Sequence, residues 1–122
     1  MHVLLGLGGS DESMKALRRT IDRTREAGDD LTVAVIEKPE ADRAPEEMAH
    51  QAEKLLSEAG VDADVKRLEG DPGSALVDLA EHGEFDQLVI GGGTESPMGK
   101  IRLGGITEFV LLNATTTVKL IR

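Results

Sequence analysis

Residues 88–111 read LVIGGGTESPMGKIRLGGITEFVL, and their order of apolar run, glycines and second apolar run decides the fold. Leu88, Val89 and Ile90 suit a strand covered on both faces, predicted over Gln87–Ile90. Gly91, Gly92 and Gly93 then break the run. A second glycine pair, Gly104 and Gly105, opens a stretch of helical period predicted as a helix over Gly104–Asn113. Such a strand–loop–helix unit leaves bare backbone N–H groups near the positive end of a helix dipole, where an anion is stabilised. Lys100 and Arg102 add positive charge to the loop and Ser96 a hydroxyl. Taken alone, three glycines after a strand more often make a tight turn than a ligand cradle.

The rest of the chain repeats this alternation. His2–Leu7 reads as a strand, and Ser10 begins a helix with Met14, Leu17, Ile21 and Ala27 inward, ended by Gly28. Leu31–Ile36 is a second buried strand, and residues 39–45 form a proline-bounded polar loop. Pro45 starts a helix with Met48, Ala52, Leu55 and Leu56 inward, and Gly60 closes it. Val61–Leu68 alternates apolar and charged residues, as a strand nearer a sheet edge does. Asp71-Pro72 caps a helix with Ala75, Leu76, Leu79 and Ala80 on its inner side. Thr116–Ile121 is the last strand. Strands alternating with helices pair in parallel through right-handed crossovers, giving an α/β, Rossmann-like, doubly wound open sheet with helices on both faces. Ligands of such sheets bind outside the carboxyl ends of the strands. The loops Gly6–Asp11, Glu37–Pro39 and Gly91–Lys100 are therefore expected to converge at the switch point between the first and fourth strands.

Composition narrows the possible functions. A chain of 122 residues with 39% hydrophobic content supports one domain, 1–122, and a single core. Phe85 and Phe109 are its only aromatic residues, so it has no stacking platform for single-stranded nucleic acid. A net charge of −9 repels phosphate backbones and anionic lipid, so neither nucleic acid nor membrane is an expected partner. The acidic excess is spread over helices as a solvated surface; a halophilic, high-salt source would produce the same pattern. There is no cysteine, and the longest apolar run near the start, Val3–Leu7, is too short for a span or signal core. A cytoplasmic protein is expected.

Catalytic and metal chemistry find little support. His2, His50 and His82 have no ligand spacing, so no metal is predicted. Ser10, Ser13 and Ser96 lack a nucleophile-elbow context and read as capping or loop residues. The pairs Asp29–Asp30, Glu46–Glu47 and Asp62–Asp64 read as exposed charge, and no residue stands out as a base or water-positioner beside the glycine loop. Met14, Met48 and Met98 read as packing. A non-catalytic protein is expected.

The segments VLLGLGGSDESMKAL (3–17), EGDPGSALVDLAEHGEFDQLVIGGG (69–93) and LGGITEFVLLNATTTVKLIR (103–122) together resemble the universal stress protein family along essentially the whole chain. The resemblance implies a five-stranded parallel sheet of order 3-2-1-4-5, a role in stress response, and a homodimer through the last strand. It also implies adenine-nucleotide binding in a subset, with magnesium present only if ATP is the ligand. That subset carries Gly, two residues, Gly, nine residues, then Gly followed by Ser or Thr. Laid on this chain the four positions are Gly91, Thr94, Gly104 and Gly105, so two differ. Where relatives commonly carry an Asp after the first strand, this chain has Gly8. The candidate nucleotide-binding residues are Gly6, Gly8, Ile36, Ile90, Gly91, Gly92, Gly93, Thr94, Gly104, Gly105 and Ile106. Thr94 either blocks close backbone approach or donates its hydroxyl; Gly105 lacks a hydroxyl donor, and Gly8 lacks a charged acceptor worth about 1–3 kcal/mol. A weakened adenine-nucleotide or anion pocket follows.

Two other readings stay open. One is a ligand-free dimeric interaction module of the same family; its edge strand, Thr116–Ile121, either pairs with its twin or is guarded as a monomer edge by Lys119. The other is a phosphoacceptor domain using Asp11, Glu12 and Thr94, which needs a lysine just after the last strand; Lys119 lies inside it instead. Protein partners other than a second copy are not legible.

Overall fold

The computed structural model describes residues 1–37, 43–92, 94–95 and 101–122, with backbone only at 94, 95, 101 and 102. The expected alternation is present: β1 (His2–Leu7), α1 (Asp11–Ala27), β2 (Asp30–Val35), α2 (Pro45–Ala59), β3 (Ala63–Arg67), α3 (Pro72–His82), β4 (Gln87–Gly91), two short strands β5 (Thr94–Glu95) and β6 (Ile101–Arg102), α4 (Gly105–Asn113) and β7 (Thr117–Ile121). Five strands form one parallel sheet in the order β3-β2-β1-β4-β7, which is 3-2-1-4-5 when its strands are counted in chain order. β5 and β6 pair antiparallel as a separate two-stranded ladder inside the stretch read as loop.

The helix ends follow from local chemistry. Ser10 accepts from the Ser13 N–H at 3.1 Å and so caps α1. Asp71 does the same for α3 through the Ser74 N–H at 3.0 Å. That backbone bond, followed by the Ser74 side chain, holds the Asp71 carboxyl below its usual range. Gly28 and Gly60 end α1 and α2 at φ +71° and +69°, the left-handed conformation that costs glycine no Cβ clash.

Alternation along the central strands divides the apolar residues between two faces. Val3, Leu5 and Leu7 of β1, with Leu31, Val33 and Val35 of β2, pack under α1 and α2 against Met14, Leu17, Ile21, Met48, Ala52 and Leu56. Leu4, Ala34, Leu88 and Ile90 face α3 and α4, meeting Leu76, Val77, Ala80 and Val110. Two expectations for inward residues change. Ala27 is exposed, and Thr24, one turn after Thr20, is the buried residue near the end of α1; Val77 joins the inner side of α3. Met98 lies outside the described residues.

Among the described residues, no helix is long and apolar enough to cross a membrane.

Candidate functional site

The register of β1 fixes the centre of the site. Gly6 pairs with Ala34 on one side and Ile90 on the other, at the point where the strand order reverses. A Cβ at Gly6 would lie 2.6 Å from Leu76 Cδ2 and 3.3 Å from Ile90 Cγ2, so a larger residue there would force the Leu76 side chain of α3 to shift. Beyond it the chain turns sharply at Gly9, φ +83°. The Gly8 N–H donates to Ser13 Oγ at 3.0 Å, and the Ile36 N–H donates to Leu7 O at 3.0 Å. The first bond ties the turn to α1, and the second holds the ends of β1 and β2 side by side.

A small crevice opens there, about 40 Å³, lined by Gly6, Gly8, Ile36, Ile90, Gly91, Gly104 and Ile106 together with Ser10, Ser13, Leu76 and Thr107. Seven candidate residues, drawn from four separate segments, thus meet as expected. Gly105 adjoins them as the first residue of α4, exposed to solvent. The Thr94 backbone belongs to β5, and Gly93 lies outside the described residues, as do Ser96 and Lys100. Three histidines are dispersed: His2 in β1, His50 in α2 and His82 at the end of α3.

The glycines do different jobs. A Cβ at Gly91 would stand 2.5 Å from the Glu12 carbonyl oxygen and 3.0 Å from Ala16 Cβ, so this glycine admits the first turn of α1 onto β4. Gly92 is buried, and its N–H donates to Ile121 O at 3.1 Å, continuing the β4–β7 ladder. Its expected role as a free amide donor to a ligand is therefore corrected: the sheet engages it. Gly104 and Gly105 have nothing within 4 Å of a Cβ and face open space. Gly104 is the N-cap of α4, without a side-chain cap bond, and the first bond of the helix runs from the Glu108 N–H to Gly104 O at 2.9 Å. The amides of Gly105, Ile106 and Thr107 thus precede the hydrogen-bonded part of the helix and point outward from its positive end.

Serine and leucine positions escaped the reading of the sequence as site residues. Ser10 and Ser13 carried a capping or loop signal, Leu76 a core signal and Thr107 none; Leu76 and Thr107 become crevice walls through the packing of α3 and α4 beside β1. Arg43 was missed as well. It follows residues 38–42, which lie outside the described residues with the expected Pro39 end of the second loop. Its Nη1 donates to Gly9 O at 3.3 Å and its Nη2 to Asp11 Oδ1 at 3.1 Å.

The family model described as the universal stress protein family matches residues 1–122. The chain belongs to that family. A universal stress protein of Methanocaldococcus jannaschii is 30% identical over 77 residues, which are 63% of this chain and 45% of the relative. The match thus spans under half the length of that relative. Among solved structures, a universal stress protein from Archaeoglobus fulgidus superposes with TM-score 0.78 at 24% identity, covering 100% of this chain and 98% of the other. The Archaeoglobus fulgidus protein in complex with dAMP gives 0.76 at 22%, with coverage of 100% and 98%. At such identities the likeness speaks for the universal stress protein fold alone.

Proposed function

We propose that this universal stress protein is a non-catalytic, regulatory stress-response protein with a weakened adenine-nucleotide pocket at the crevice between β1 and β4. The observation that carries this is the meeting of Gly6, Gly8, Ile36 and Ile90 with the uncapped N-terminus of α4. Apolar Ile36, Ile90 and Ile106 suit the nucleoside end of a ligand, and the first amides of α4 suit its phosphate. The relative that holds dAMP supports the ligand class. Magnesium would enter only with ATP. Weakness follows from the missing Gly8 carboxylate, the missing Gly105 hydroxyl and the engaged Gly92 amide.

A second reading, a dimeric module without ligand, has its own observation. The crevice's 40 Å³ is far below the roughly 300–1,000 Å³ of small-molecule pockets. Calorimetric titration with AMP, ADP and ATP plus magnesium separates the two, in low and in high potassium chloride. Saturable binding below about 1 mM is expected, and its absence from folded protein at millimolar nucleotide overturns the nucleotide reading. Replacing Gly8→Asp together with Gly105→Ser should tighten AMP binding by roughly tenfold or more, the value of one charged hydrogen bond. Space permits both: a Cβ at Gly8 meets Ser13 Oγ at 3.6 Å and Ile36 at 3.7 Å, ordinary contacts.

In either reading the assembly we propose is a homodimer through β7, an edge strand of the five-stranded sheet.

A further inference from the structure

Arg43 stands out because its side chain reaches across the chain to the turn that forms one rim of the crevice. Its partners, Gly9 and Asp11, alternate with the lining residues Gly8 and Ser10. The two contacts differ in kind. Asp11 is 83% exposed, so its ion pair with Arg43 is screened by water and weak. The Arg43 side chain is only 27% exposed, and its bond to the Gly9 carbonyl is a charged donor on a neutral acceptor that the turn holds fixed. A planar guanidinium reaches both acceptors at once with two separate nitrogens; an ammonium presents one point of charge.

The turn that Arg43 grips is itself tied inward. Gly8 is bonded to Ser13, and Ser13 to the Ser10 cap. On the other side, Arg43 is two residues before the first turn of α2, while Ile36, at the start of the same β2–α2 connection, is bonded to Leu7. The end of β2 therefore lies beside the crevice, and Arg43, next to the start of α2, is fastened to the β1–α1 turn.

We propose that Arg43 is a positioning residue for the crevice: a strap that ties the start of α2 to the β1–α1 turn and so keeps the wall made by Gly8, and by Ile36 bonded to Leu7 beside it, in the shape that receives the nucleoside end of a ligand. This rests on the nucleotide reading above for its ligand and on geometry alone for the strap. Asp11 trims the strap from outside. The Gly9 carbonyl carries most of it.

The test compares the full chain with Arg43→Ala, Arg43→Lys and Asp11→Asn in two measurements. Amide hydrogen exchange needs no ligand: Arg43→Ala should speed exchange at Gly8 and Ile36 while Val33, in the middle of β2, stays at the wild-type rate. AMP titration should show roughly tenfold weaker binding for Arg43→Ala, partial rescue by Arg43→Lys, and under about fivefold loss for Asp11→Asn. Unchanged exchange at Gly8 and Ile36 in Arg43→Ala overturns the strap. Uniform acceleration that includes Val33 overturns it as well, since Arg43 then supports general stability. If the wild-type chain binds no AMP, the nucleotide reading fails and with it the ligand half of this proposal, while the exchange pattern still decides whether the strap exists.

Discussion

Gly91 and Gly105 look alike in the sequence and behave oppositely in the fold. Gly91→Ala puts a methyl group against the Glu12 carbonyl, a backbone atom that cannot swing aside. We expect a loss of about 1–3 kcal/mol of stability, read as a lower midpoint in urea unfolding. Gly105→Ser enters open space and should leave that midpoint within about 0.5 kcal/mol of wild type. Glycine content alone therefore does not tell a packing glycine from one that faces open space. The reading located Gly6, Gly8, Ile36, Ile90, Gly91, Gly104 and Ile106 because each sits at or beside a strand end or helix start, where local pattern speaks. It missed Leu76, Thr107 and Arg43 because their approach to the crevice depends on how distant segments pack, and no local spacing encodes that.

At the scale of elements, α3 offers a pH test. The Asp71 carboxyl is held below its usual value by the Ser74 N–H and then the Ser74 hydroxyl, so its cap favours the ionised form. A depressed carboxylate pKa contributes stability above the unfolded value of 3.8; that contribution disappears as pH falls through the folded value. Asp71→Ala should thus be less stable than wild type at pH 7, and the gap should narrow well below pH 3.8; denaturant titrations at the two pH values measure it. The cap was legible, since Asp-Pro before an apolar helical pattern is a start signal. Strand identities were legible too, from apolar runs alternating with helical segments, whereas the strand order came from the resemblance to the universal stress protein family. The β5–β6 ladder was not: two residues per strand carry no period. Thr24 was passed over for Ala27 because it is polar, although the 3.6-residue repeat puts Thr24, two turns after Leu17, on the inner side.

For the whole molecule, the open question is what covers β7 and α4. Thr117 and Lys119 are exposed on one face of the strand, while Val118 and Leu120 pack partly against the α3–α4 side. On the same α3–α4 side of the sheet, α4 leaves Leu112 76% exposed and Phe109 and Leu111 more than a third exposed. A helix apolar on most sides is ordinarily covered. Sedimentation at about 50 μM should show a dimer, and Leu112→Glu should raise its dissociation constant at least about tenfold without altering the circular dichroism spectrum. A monomer at that concentration would remove the proposed assembly. The net charge of −9 works against any such pairing of identical chains, so added salt should strengthen it.

The division of the apolar residues between two faces has a further consequence. Among the described residues, fifteen buried side chains form the cluster under α1 and α2, and only eight form the one under α3 and α4. Local opening is governed by how much apolar surface each unit must expose, so the lighter half should breathe first. That half carries α4, whose amino end forms one rim of the crevice and whose Val110 shares a cluster with Val118 and Leu120 of β7. Whatever steadies α4, a phosphate at its amino end or a second chain along its flank, would damp the same fluctuation, and occupancy at one place would then be felt as affinity at the other.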